Sequence, residues 1–303
     1  MTIAFPPGSV ADVASGLAEH DYLADEALAT AIFLAIELQR PLLLEGEAGV
    51  GKTEVAKTLA RWSGGRLIRM QCYEGLDVGQ AVYEWDYSRQ LLHLRTLEAV
   101  GGLAANANAV EDELYSDKFL VRRPLLEAIA HDDEVAPILL IDEVDRADDE
   151  FEAFLLEVLS EYAITVPELG TFRATKPPIV IITSNRTRDV HDALKRRALY
   201  HWVEHPGLER EVEIIRRRTD GVTDELAGQV ARAVAEFRSL GLYKPPGVAE
   251  SIDWAQALHR LEQRGLTVES ANASLGTVLK YREDQQRVRD HGLDQVVATA
   301  TDA

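Results

Sequence analysis

The chain has 303 residues and a single cysteine, Cys72. That excludes an internal disulfide framework and any cysteine-based metal cluster. Its setting, Leu67-Ile68-Arg69-Met70-Gln71-Cys72, reads as a buried strand, so the thiol is expected to pack in a core. Bases are also scarce: 32 Lys and Arg stand against 51 Asp and Glu, a formal charge of −19. Gripping nucleic acid needs clustered Lys and Arg to neutralise phosphates, and there is no basic stripe. Such a surface suits a protein that keeps its copies apart by repulsion and meets protein partners. Nothing approaches 18 uninterrupted apolar residues, and no basic stretch at the N-terminus leads into an apolar run. A cytosolic protein without stable membrane insertion is therefore expected. Internal repeats and low-complexity segments are missing too.

The most informative feature present is the run Gly46-Glu47-Ala48-Gly49-Val50-Gly51-Lys52-Thr53-Glu54. It follows Pro41-Leu42-Leu43-Leu44, an apolar stretch that reads as a buried strand. It precedes Val55, Ala56, Leu59 and Ala60, which fit one face of a helix. Strand, glycine loop, Lys-Thr and helix is the context that a phosphate-binding P-loop requires. The glycines let main-chain N–H groups approach phosphate oxygens, and the helix N-terminus adds partial positive charge. Lys52 is expected on the β- and γ-phosphates and the Thr53 hydroxyl on Mg²⁺. Residues 46–54 are thus the candidate nucleotide-binding positions.

Around this loop the pattern alternates. Apolar spacing predicts a helix within Tyr22–Gln39. Strand-like runs follow at Leu67–Cys72, Pro137–Asp142 and Pro178–Asn185, the last two nearly continuous, as in a parallel sheet covered on both faces. Between them Phe151, Phe154, Leu155, Val158 and Leu159 repeat at helical spacing, with Asp148 as N-cap. Tyr83, Trp85 and Tyr87 alternate, which suits the face of a hairpin that contacts a client or covers the core. Alternating strands and helices argue for a doubly wound α/β domain. Past His205-Pro206-Gly207 the chain reads as helical. Segments are marked by Val212 and Ile215; by Leu226, Val230, Val234 and Phe237; by Ile252, Ala255, Leu258 and Leu261; and by Leu275, Val278 and Leu279. The third is expected to stop at Gly265 as its C′ residue. The expected plan is a lead-in over 1–20, an α/β nucleotide domain over 21–207, a small all-α domain over 208–285 and a frayed polar tail over 286–303.

Asp142-Glu143 closes an apolar strand. A carboxylate there can hold Mg²⁺ beside Thr53 while its neighbour polarises an attacking water, so Asp142 is assigned to the metal and Glu143 to the base role. Asp145 and Arg146 are expected at the surface or a subunit contact. Asn185 ends the next strand, at the crevice where ligands of open α/β sheets bind, and is a candidate for holding that water; a turn-forming Asn is the plainer reading. In Asp192-Ala193-Leu194-Lys195-Arg196-Arg197 the bases either complement a helix end or include an arginine finger, Arg197 or Arg196, offered to a neighbouring subunit's phosphate. His201 and His205 lack a third partner for zinc, and Arg216-Arg217-Arg218 reads as a solvated helix end.

Taken in this order, the P-loop, the Asp142-Glu143 strand, the Asn185 strand, the paired arginines and the helical C-terminal region resemble AAA+ ATPases over roughly residues 20–285. Phe154–Glu161, and the segment Ala163–Ala174 with Pro167-Glu168-Leu169-Gly170, resemble the helix and hairpin of the MoxR branch. Gln71–Asp77, Tyr83-Glu84-Trp85 and Arg89–Leu92 resemble its CoxD-like subgroup. The resemblance implies a P-loop NTPase sheet with a helical lid, ATP and Mg²⁺ as ligands, and a homo-oligomeric, six-membered ring. It further implies a von Willebrand A domain partner and a role in maturing carbon monoxide dehydrogenase or a related molybdenum hydroxylase. One departure matters. Most MoxR-like lids carry Ser-Pro-Arg, whereas Pro246-Gly247-Val248-Ala249-Glu250-Ser251-Ile252-Asp253-Trp254 has no arginine. Either Arg238 or a neighbour's residue substitutes, or the lid is less tightly coupled to nucleotide. The alternatives to a remodelling ATPase are a nucleotide-gated scaffold that hydrolyses slowly and a nucleic-acid motor, against which the acidity counts.

Overall fold

A computed structural model describes residues 5–99 and 107–302. Among the described residues there are nine strands: β1 Leu42–Glu45, β2 Leu67–Gln71, β3 Tyr83–Trp85, β4 Leu120–Arg122, β5 Ile138–Asp142, β6 Ala163–Val166, β7 Gly170–Arg173, β8 Ile179–Ser184 and β9 Leu199–Trp202. The chain divides into two compact units that interleave along the sequence. One comprises Thr30–Leu44 and Leu59–His201; the other comprises Met1–Ala29, Glu45–Thr58 and Trp202–Ala303.

The first of these units carries a five-stranded sheet in the order β2-β5-β8-β1-β9. β5 pairs in parallel with β2 and with β8, placing Gln71 beside Asp142 and Ile182 beside Ile141. Every residue of β5 is buried, which explains its unbroken run Ile-Leu-Leu-Ile. β2 alternates instead: Ile68 and Met70 are buried while Leu67, Arg69 and Gln71 are exposed. Cys72 lies one residue beyond β2, fully buried, its amide on the carbonyl of Asp142 at 2.8 Å. The helix Asp149–Glu161 starts at Asp148, which accepts the amide of Phe151 at 2.8 Å, and buries Phe151, Leu155, Val158 and Leu159. β6 and β7 form the expected hairpin within 163–174.

Tyr83, Trp85 and Tyr87 do not share one hairpin face. β3 pairs antiparallel with β4, Trp85 opposite Leu120, and Tyr87 opens a separate helix, Tyr87–Ala99. Trp85 is buried, edge-on to Tyr83 and Tyr115, so its role there is packing.

In the other unit the helices Leu208–Arg218, Asp224–Ser239, Val248–Arg260 and Val268–Val278 follow the apolar spacing. They enclose a core around Phe237, Trp254, Leu258 and Leu275. The third stops earlier than Gly265. Its last turn closes at Leu261, and Glu262 takes the left-handed position at φ 57° while Gln263 donates its amide back to the carbonyl of Leu258. The C-terminus also differs from the frayed tail expected. Helices Arg282–His291 and Leu293–Thr301 are formed, and Val296, Val297 and Ala300 are buried at i, i+1, i+4 spacing. Arg232 Nε donates to the carbonyl of Ala300 at 2.7 Å. Overall polarity concealed a narrow apolar stripe. No helix among the described residues is long and apolar enough to cross a membrane.

Candidate functional site

Two groups of residues carry the candidate chemistry, one in each unit.

The glycine loop leaves β1 through Gly46. A Cβ on Gly46 would lie 2.4 Å from the carbonyl oxygen of Val203, which a side chain cannot tolerate. The Val203 amide in turn donates to Glu45 O at 2.7 Å, so the loop's entry is pinned. Gly49 and Gly51 take φ +81° and +96° before the helix Lys52–Ser63 begins. Lys52 is buried, and its Nζ donates to Gly46 O at 2.8 Å and Glu47 O at 2.6 Å, curling the loop around its own ammonium group. Main-chain turns that demand glycine, a buried cation and a helix N-terminus form a donor set for polyphosphate, so these residues fit a nucleotide. Glu54 is held by Arg218 at 3.0 Å and Lys57 at 3.5 Å, and Glu47 by His205 at 3.1 Å. His205 is thus occupied with the loop's rim. Tyr22 is half-buried near Gly51, and desolvation pushes its phenol well above the usual range, with Asp25 and Glu54 adding to the shift.

The other group stands at the carboxyl ends of β5 and β8. Asp142 is 3% exposed. Its Oδ1 accepts Thr183 Oγ1 at 2.6 Å, and its Oδ2 accepts Arg69 Nε at 3.1 Å and Nη2 at 2.6 Å. Glu143 takes a left-handed backbone, φ 56° and ψ 51°, uncommon for a residue with a side chain. Its amide donates to Thr183 Oγ1 at 3.0 Å. Its carboxylate is engaged from three sides: Asn185 Nδ2 at 3.3 Å on Oε1, and Gln71 Nε2 at 3.0 Å and Arg146 Nε at 3.1 Å on Oε2. The sequence reading placed Asn185 near Glu143, and the two are in contact.

Asp145 is a correction. It is 2% exposed rather than a surface group, and it accepts the amides of Asn185 at 3.2 Å and Thr187 at 2.8 Å, with the Thr187 hydroxyl at 2.7 Å. Burial is tolerated because three donors satisfy the carboxylate, which fixes the loop that carries Asn185. Thr183, Arg69, Gln71 and Asp145 were not singled out as site residues by sequence. The available signal was weak: polar residues at alternate positions of β2, and a Thr inside an apolar strand.

Arg196 and Arg197 are exposed at the end of the helix Asp192–Arg197. The carbonyls there accept from Arg40, at 2.9 Å to Arg196 and 3.0 Å to Arg197. The cation that complements this helix end is therefore Arg40. Arg197 Nη1 reaches Leu156 O at 3.5 Å. Arg238, one of the expected substitutes for a lid arginine, is engaged within its own unit. Its Nη1 and Nη2 grip Glu211 at 2.6 and 2.8 Å, and its Nε donates to Pro246 O at 2.8 Å. All three guanidinium nitrogens thus have partners, two of them on the buried carboxylate of Glu211.

A glycine loop between strand and helix with Lys-Thr, and an Asp-Glu strand tip in a parallel sheet, define a P-loop NTPase. The AAA domain of the dynein-related subfamily matches residues 41–198, and the chain belongs to that family. No curated protein matches it. Among solved structures, a candidate ATPase from Cytophaga hutchinsonii aligns over 96% of this chain and 92% of its own, at 14% identity and a TM-score of 0.49. Two variants of RuvB from Thermotoga maritima align at 16% identity and a TM-score of 0.48. They cover 87% and 92% of this chain and 72% and 75% of theirs.

Proposed function

We propose that the chain hydrolyses Mg²⁺-bound ATP and, as a self-associating ring, remodels a protein client. The observation that carries this is Glu143: a carboxylate held by Asn185 and Gln71 on a left-handed backbone, in a chain with the Gly46–Thr53 loop. A strained, over-determined acid at a strand tip is the pattern of a positioned base. In the proposed reaction the main-chain amides of residues 46–53 and Lys52 hold the β- and γ-phosphates. Thr53 and Asp142 would hold Mg²⁺, which when bound neutralises phosphate oxygens. Glu143 accepts the proton of the attacking water, and Asn185 orients it. Arg197 or Arg196 of a neighbouring copy meets the charge that develops on the phosphoryl group.

The finer assignment follows the motif resemblance to MoxR-type ATPases of the CoxD-like subgroup. A six-membered ring, a von Willebrand A domain partner and an immature molybdenum hydroxylase as client belong to this proposal. A second reading, a scaffold gated by bound nucleotide with slow turnover, is favoured by the commitment of Arg238 to Glu211, which leaves the lid without its usual phosphate contact.

Glu143→Gln is expected to bind ATP as the wild type does while losing about 10²–10⁴-fold in turnover, and Lys52→Ala to lose binding. Calorimetry and steady-state hydrolysis check both. Wild-type turnover by the Gln protein refutes the base assignment.

A further inference from the structure

The helix Val248–Arg260 begins against the glycine loop. The amide of Val248 donates to the carbonyl of Gly49 at 3.0 Å, and that of Ala249 reaches the same oxygen at 3.4 Å. The approach needs a glycine on each side. A Cβ on Gly247 would lie 2.7 Å from the Cα of Gly49, and a Cβ on Gly49 would lie 2.8 Å from Oε2 of Glu250. That oxygen is not a wandering surface group. It accepts the amide of Gly247 at 3.0 Å, the third helical residue reaching back over its own helix start.

The support behind it is rigid. Ser251 Oγ donates to Glu211 at 2.6 Å and to Gly247 O at 3.2 Å, and Glu211 is gripped by Arg238, whose Nε holds Pro246 O. Glu211 and Ser251 are almost wholly buried. A negative charge is therefore fixed beside Gly49, in a loop whose remaining equipment, the Lys52 ammonium and the N-terminus of its helix, favours anions. The stretch Pro246–Trp254 supplies no base to offset it.

We infer that Glu250 sets the affinity and selectivity of the glycine loop, its carboxylate opposing an incoming polyphosphate more strongly the more charge that ligand carries. This rests on the nucleotide reading given above. Compared with a neutral residue at 250, the native loop discriminates against the triphosphate relative to the diphosphate. Glu250 is a specificity-determining residue and takes no part in bond making.

The test is Glu250→Gln in the full chain. Its side-chain oxygen still accepts the Gly247 amide, so the helix start is kept and only the charge is lost. Titration calorimetry with ATP and with ADP, each with Mg²⁺, is run at 50 and 500 mM salt. The Gln protein is expected to bind ATP on the order of fivefold tighter, as repulsion across a partly solvated site of a few ångströms implies. The gain for ADP is smaller, and both gains shrink at high salt. Glu250→Asp, which keeps the charge, stays within about twofold of wild type. The inference is overturned if the Gln protein melts normally yet binds ATP no tighter, or if Asp gains as much as Gln. Should the wild type bind neither nucleotide, the loop assignment itself fails, and this inference with it.

Discussion

The hydroxyl of Thr183 donates to Oδ1 of Asp142 at 2.6 Å, and Thr183 Oγ1 itself accepts the amide of Glu143 at 3.0 Å. One side chain on β8 thereby fixes both acids at the tip of β5. Thr183→Val preserves shape but takes the acceptor from the Glu143 amide, a cost of about 1–3 kcal/mol. The urea midpoint is expected to fall accordingly. Turnover should fall on the order of tenfold, because both acids at the strand tip lose their anchor. An unchanged kcat contradicts a positioning role for Thr183.

That relationship also marks where sequence reasoning stopped. Asp142, Glu143 and Asn185 were legible because each ends an apolar run, and a polar residue at the end of a buried strand is conspicuous. Thr183 sits inside such a run, and Gln71 and Arg69 look like the solvent face of an alternating strand. Their meaning comes from the register of β2, β5 and β8, which pairs residues some 40 to 70 positions apart. Asp145 was misread for the same reason: its partners, the amides at 185 and 187, lie on another loop. The large elements, by contrast, follow local periodicity, and the phosphate loop is a contiguous motif. The final helix, Leu293–Thr301, was lost because its apolar stripe is only a few residues wide.

The Arg238–Glu211 pair supports three helices, with Ser251 as the third member. Arg238→Ala strands an almost fully buried carboxylate, and breaking such a pair on one side costs about 3–5 kcal/mol. A loss of that size is expected in chemical denaturation. Replacing both, Arg238→Met with Glu211→Leu, should recover much of it, since the charge is then gone from both sides. If Arg238→Ala proves neutral, the pair is not holding these helices.

Burial pushes the Cys72 thiol up to about 12 from an ordinary 9, with Asp142 adding to the shift. The folded chain keeps this proton while the unfolded chain releases it above pH 9. The stabilisation it confers is thus complete below 9 and is lost as the pH climbs towards 12, by up to about 1.4 kcal/mol per pH unit. Cys72→Ala is expected to flatten this alkaline loss, read as urea midpoints at pH 8, 9.5 and 10.5. A slope identical to wild type excludes the thiol as its source.

Gly46→Ala drives a methyl group into the carbonyl of Val203. The carbonyl is main chain and the methyl is fixed to its own Cα, so neither can swing aside, and the turn must open. The substitution is expected to lower the melting temperature and to weaken Mg²⁺-ATP binding at least tenfold, because main-chain donors leave their places. Retained affinity would mean that the loop's entry need not be so tight.

The lone thiol has a practical corollary. Sealed and protonated, Cys72 stays silent to maleimide dyes while the native structure holds. A cysteine placed on any exposed helix becomes the sole labelled position in the chain, ready for fluorescence distance work without first stripping the wild-type sequence. Once the chain opens, the native sulfur reacts as well, so dye stoichiometry rising from one to two counts unfolded molecules directly.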